Sequence, residues 1–189
     1  MRQYEGRHPI GTRARLALAL LLYTAQRPSD VVRLGHKMVH NGWLNFTQAK
    51  NAKRKPFSLD IPILAELGRI IEATTTLGRD TYLVTESGKP FTVAGFGNRF
   101  RKWCDEAGLP HCSAHGLRKA GSARLAELGA CDREIMAIPG HQLRRKLIAI
   151  PRVPVRRSSR RVLWRNGNRD GTNKCPTAVS WAVPLSLTP

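Results

Sequence analysis

The sequence predicts a mainly α-helical domain with a small antiparallel β-sheet or hairpin on one edge, followed by an irregular basic tail. Three observations predict it. Positions 16–23 form a continuous apolar run, and apolar residues recur at helical spacing around 64–71 and 96–103. Between 42 and 63 that period gives way to alternation. Beyond about residue 142 periodicity of either kind stops and positive charge rises. The 189 residues suffice for one domain with its own core, and a hydrophobic content of 41% suits a globular chain.

Thr12 is positioned to cap a first helix that runs to about Gln26. Its interior, Leu16 to Tyr23, is apolar nearly all round, so the helix is expected to be central and buried. Pro28 breaks it, and Ser29 is suited to cap a short second helix through Val31, Val32 and Leu34. Gly42 to Ile63 reads as β, with Leu44 and Phe46, then Phe57, Leu59, Ile61 and Ile63, alternating with polar residues. The basic turn Gln48 to Lys55 joins the two runs. A helix follows from Ile63 to Ala73 with Leu64, Leu67, Ile70 and Ile71 on one face. Thr81 to Glu86 reads as a short strand and Gly88-Lys89-Pro90 as a turn.

Thr92 begins the next helix, whose Phe96, Phe100 and Trp103 read as core rather than a base-stacking platform. Its other face carries Arg99, Arg101 and Lys102, a candidate phosphate-facing strip. Gly108-Leu109-Pro110 ends it. A helix from about His115 continues through Leu117, Ala120, Leu125 and Leu128 to a Gly129 cap. A short helix, Arg133 to Ile138, follows Asp132, and Pro139-Gly140 stops it just before His141. Residues 143–189 hold 11 Lys and Arg, one acid and five prolines, a charge of +10, whereas residues 1–142 carry +9 in three times the length.

The whole chain has 32 Lys and Arg against 13 Asp and Glu, a net +19. That excess points to a polyanion, nucleic acid first. A membrane surface lacks support, because no basic amphipathic helix stands out. No targeting segment is expected from the opening residues, and the run Leu16 to Tyr23 is too short to span a bilayer. Cys104, Cys112, Cys131 and Cys175 are scattered without a C-x-x-C pair, which argues against a zinc site and for reduced thiols in a cytoplasmic protein.

The candidate site centres on Ser113-Ala114-His115-Gly116-Leu117-Arg118-Lys119. His115 and Arg118, three apart at a helix start, share one face. A guanidinium suits a phosphate, and an imidazole moves a proton near neutral pH. Arg27 lies at the joint of two apolar helices, where it either serves a site or turns its head to solvent; both readings stay open on local sequence. Lys50 sits on the hairpin tip, with Lys53 as a second candidate, and His141 follows the last short helix. His36, His40 and His111 read as ordinary surface residues. Arg27, Lys50, His115, Arg118 and His141 together suit one phosphodiester. Such cations need no metal, and no carboxylate cluster is visible to hold one.

Four stretches carry a family resemblance: Gly11-Thr12 through Arg27-Pro28-Ser29-Asp30 to Leu34, then Thr47-Gln48-Ala49-Lys50, then Ala114 to Lys119, then Gly140-His141-Gln142. In that order they resemble the catalytic domain of the phage-integrase type of tyrosine recombinases, over roughly residues 8–142. The resemblance implies the DNA breaking-rejoining fold, site-specific strand cleavage and rejoining on double-stranded DNA, homo-oligomers on that DNA, and no cofactor. It implies that Arg27 and Arg118 clamp the scissile phosphate. Lys50 would protonate the leaving 5′ oxygen, His115 would assist proton transfer, and His141 would hydrogen-bond the phosphate. The family's tyrosine nucleophile usually lies nine residues beyond the last histidine, where this chain has Ile150; its tyrosines are Tyr4, Tyr23 and Tyr82. The family's N-terminal DNA-clamping domain is expected to be missing as well. The chain therefore divides into a partial catalytic domain, 1–142, and a tail, 143–189. Loss of the pattern at the change of composition suggests a reading frame shifted after Gln142, and Pro139 is a smaller anomaly. The expected outcome is DNA binding without cleavage. The alternatives are a non-catalytic basic DNA-binding module and a decayed remnant.

Overall fold

The computed structural model describes residues 1–50, 52, 56–127, 135 and 138. In order the elements are α1 (Arg2–Arg7), α2 (Arg13–Thr24), α3 (Pro28–Val31), a 3-10 turn at His36–Met38, β1 (Val39–His40), β2 (Trp43–Thr47), β3 (Ser58–Pro62), α4 (Ala65–Ala73), α5 (Val93–Glu106) and α6 (Ala114–Glu127). The domain is mainly α with one three-stranded antiparallel sheet in the order β1-β2-β3.

Helix α2 is the centre. Thr12 caps it, its Oγ1 accepting from the Arg15 amide at 3.2 Å. Every residue from Leu16 to Leu21 is buried, so no face of those turns meets water. Helices α4, α5 and α6 pack around it. Each fully buried leucine there contributes about 1.5–3 kcal/mol. The helix stops two residues earlier than the sequence suggests, because Ala25 turns left-handed at φ 49°. Pro28 then begins α3 rather than merely ending α2. Arg27 holds the N-cap position, and Ser29 lies inside the helix instead of capping it. Proline at N1 is a natural start, since its missing amide has no helical acceptor to lose.

The sheet keeps the expected alternation. Leu44, Phe46, Leu59 and Ile61 are buried, while Asn45 and Asp60 face out as register partners. Strand β1, not foreseen, is added through Asn41-Gly42, with φ 50° and 78°, the two positive angles of a tight hairpin turn. The strand expected at Thr81 to Glu86 reduces to one bridge, Val84 to Pro90. Tyr82, Leu83 and Val84 are all buried in succession, so this run fills the core instead of alternating. Helix α4 begins at Ala65, two residues later than expected, with Leu64 at its N-cap.

Helix α5 follows its sequence closely. Thr92 caps it through the Gly95 amide at 3.1 Å, and Phe96, Phe100 and Trp103 are core. Helix α1, also not foreseen, docks on this core through buried Tyr4. The Tyr4 hydroxyl donates to the Ala14 carbonyl at 3.3 Å, and its ring stacks on Phe100. Leu128, the Gly129 cap, Asp132, Arg133, His141 and the tail 143–189 lie outside the described residues.

Candidate phosphate-binding site

The site forms where the C-terminal end of α2, the start of α3, the tip of the β2–β3 hairpin and the first turns of α6 meet. Two of the five candidates come together directly. Arg118, only 6% exposed, reaches across from α6, and its Nη1 donates to the Ala25 carbonyl at 3.1 Å. That contact needs α6 close to α2. Gly121 allows it: a Cβ there would sit 2.7 Å from the Leu22 carbonyl oxygen. Ala25, left-handed, is the residue after α2, and Arg27 two residues later is half-buried. The Arg27 guanidinium has no hydrogen bond or ion pair among the described residues.

Burial first, and then the charge of Arg27, push Arg118 down to about 10, while Asp30 acts in the opposite sense. It remains a cation at neutral pH. Two guanidiniums thus lie close enough at one partly dry joint to repel each other, and the buried Asp30 carboxylate acts against that repulsion. A charge-assisted contact from a guanidinium to a phosphate oxygen is strongest where water is excluded.

Lys50 is exposed on the hairpin tip beside residues that are firmly held. The neighbouring Ala49 amide donates to Asp30 Oδ1 at 2.7 Å. Asp30 is 1% exposed, and its Oδ2 finds no hydrogen-bond partner among the described residues. Gln48 Nε2 donates to Gln26 Oε1 at 2.8 Å, and Gln26 Nε2 donates to the carbonyls of Thr24 at 2.9 Å and Ile138 at 2.6 Å. The tip beside Lys50 is therefore tied to the Arg27 joint, and the joint to Ile138, which precedes the Gly140-His141 pair in sequence. His115, second residue of α6, is exposed one turn before Arg118. His141 and Lys53 lie outside the described residues.

Sequence reasoning missed Asp30, Gln26 and Gln48. Each lies within three residues of a candidate, Gln26 and Asp30 beside Arg27 and Gln48 beside Lys50, and that proximity is the one signal that marks them. Of the proposed strip on α5, Arg99 Nη2 donates to Glu86 at 2.8 Å and Arg101 Nη1 to the Pro110 carbonyl at 2.9 Å, while Lys102 is exposed. His36, His40 and His111 are exposed, as expected.

None of the three tyrosines is a ready nucleophile. Burial pushes the phenols of Tyr4, Tyr23 and Tyr82 up, and Tyr4 far up, so that they stay protonated. Among the described residues no three metal-ligating side chains gather, and no helix is long and apolar enough to cross a membrane.

The fold has solved counterparts. The structure of the lambda integrase catalytic core superposes with a TM-score of 0.60 at 22% identity, over 74% of this chain and 90% of that one. XerA recombinase gives 0.66 at 17% identity, over 77% and 55%. A lambda integrase dimer bound to a COC′ core site gives 0.60 at 22%, over 75% and 54%. The chain thus spans about half the length of XerA recombinase and of the lambda integrase in that dimer. No curated protein sequence matches it. The profile of the phage integrase family matches residues 1–147. On that match over most of its length, with a fold to agree, the chain belongs to the phage integrase family.

Proposed function

We propose that this chain binds double-stranded DNA at a backbone phosphate through Arg27 and Arg118, as a site-specific recombinase does, but does not cleave it. The carrying observation is the closeness of two guanidiniums at the α2–α3 joint, Arg118 buried and Arg27 half-buried without a hydrogen bond or ion pair among the described residues. In this reading Lys50 protonates a leaving 5′ oxygen, His115 assists proton transfer and His141 hydrogen-bonds the phosphate; the anchoring of Ala49 to Asp30 beside Lys50 supports the first of these roles. The chemical step itself lacks its nucleophile. No tyrosine follows residue 82, so no 3′-phosphotyrosine bond can form from this chain or from an identical copy.

In this reading residues 1–142 are a partial catalytic domain, 143–189 a basic tail, the chain works in the cytoplasm, and copies assemble on DNA. Binding to a nicked duplex tests it. Arg27→Ala is expected to weaken binding about tenfold, more than replacing any two tail arginines such as Arg156 and Arg157. If only the tail substitutions matter, a module that binds by charge alone replaces this reading. A DNA–protein adduct that survives denaturation would overturn the claim of no cleavage.

The tail's abrupt change of composition also favours a second reading, a reading frame shifted after Gln142. Translating the other frames of the gene beyond codon 142 tests it. A frame with a tyrosine about nine residues after His141 supports the shift; its absence makes the basic tail native.

A further inference from the structure

Helix α2 has a second basic site at its other end. Two adjoining hollows of 290 Å³ and 340 Å³ share Arg13, Arg99 and Trp103 as their common wall. Thr12 and Thr76 line the first, Thr85 and Ser87 the second. Arg13, first residue of α2, is half-buried, yet its guanidinium makes no hydrogen bond or ion pair with any described residue. Its Nε is sealed from solvent with no acceptor. A guanidinium carries five N–H donors and a permanent charge, so leaving it half-dry and unpaired is costly unless something else supplies the acceptors. Arg99 is the opposite case. It lies over the Trp103 ring at 5.5 Å and is held by Glu86 at 2.8 Å, which fixes its remaining donors on the groove wall. Glu86 offsets one of the two positive charges, and Arg13 leaves the groove net positive. The Arg13 and Ala14 amides, at the positive end of α2, add unpaired donors.

We propose that Arg13 and Arg99 form a second phosphate site, which takes a backbone phosphate of the bound DNA remote from the Arg27–Arg118 pair. The proposal rests on the DNA-binding reading above. Helix α2 is about 18 Å long, so the two sites cannot share a phosphate. In this proposal the duplex runs along α2, and that separation then corresponds to about five base pairs. The groove thus sets how the DNA lies across the domain, and a contact to phosphate does so for any base sequence.

The test uses the full chain and a labelled duplex of about thirty base pairs, long enough to reach both sites. Arg13→Gln removes no bond within the protein and relieves an unpaired half-buried charge, so its melting temperature is expected to hold or rise. Its affinity is expected to fall about five- to tenfold, and the slope of log affinity against log salt to become shallower by about one. Arg13→Lys, which keeps the charge and loses the fork, is expected to retain part of the affinity. If Arg13→Gln leaves affinity and slope unchanged while Arg27→Ala lowers them, this site is overturned and the main reading stands. If neither substitution matters, both fall. If inorganic phosphate raises the melting temperature of the unsubstituted chain but not of Arg13→Gln, and DNA affinity is unmoved, the groove takes free phosphate and the DNA assignment is overturned.

Discussion

A guanidinium is tolerated inside the protein at Arg118 because the backbone bends to meet it. The left-handed turn at Ala25 presents its carbonyl to Nη1, and Gly121 leaves room for the two helices to close. A side chain at 121 must push against the Leu22 carbonyl, which belongs to rigid helix. Gly121→Ala is therefore expected to cost about 1–3 kcal/mol in urea unfolding and to weaken DNA binding with it. Asp30→Ala should cost a similar amount, about 1–3 kcal/mol, because it strands the part-buried Ala49 amide and removes a buried carboxylate that acts on the Arg118 cation. The thiols differ for the same reason of burial. Cys104 is buried and its thiol is pushed up to about 11, whereas Cys112 is half-exposed. Peptide mapping after brief alkylation of the native chain at neutral pH should find Cys112 modified and Cys104 spared. The candidate cations were legible in the sequence only through their order along the chain and the family resemblance, since locally Arg27 reads equally well as a head turned to solvent. Asp30, Gln26 and Gln48 were not, since their partners lie up to 112 residues away in the chain.

At the scale of elements, what was legible had local causes. Thr12 and Thr92 mark helix starts by their hydroxyls, and both make the expected cap bonds. Thr12→Ala should cost about 1 kcal/mol and lower the melting temperature by about 2–4 °C, read by circular dichroism. Elements that depend on distant packing escaped. Helix α1 is six residues long and would be marginal alone. It exists because Tyr4 meets Phe100, Arg15 pairs with Glu5 at 3.1 Å, and His8 Nε2 donates to the Trp103 carbonyl at 2.9 Å. The run Tyr82 to Val84 looked like a strand because its residues favour β structure, but Gly88 at φ 74° and Pro90 leave room for one bridge only. Strand β1 had a readable signal in Asn41-Gly42, overlooked because only two residues precede the turn.

Across the described residues, a few long-range polar links span a large apolar centre. Core residues from α2, the sheet, α4 and α5 form one cluster, so the basic groups sit on a frame that does not depend on them. That is why single cation-to-neutral substitutions at Arg13 and Arg27 are informative, whereas changes at Gly121 alter stability and binding together. Gln26 is the exception among polar residues. It is fully buried and its amide joins three separate segments. Both of its side-chain protons are committed to carbonyls, one at Thr24 and one at Ile138. Those two protons should therefore exchange slowly with deuterated water, unlike the amides of surface glutamines. In a nitrogen–proton correlation spectrum they would persist as an isolated pair of peaks. With the protein enriched in the heavy nitrogen isotope, their shift on titration with DNA would report whether ligand at the arginines is felt at Ile138, from inside the core and with no reporter group attached to either molecule.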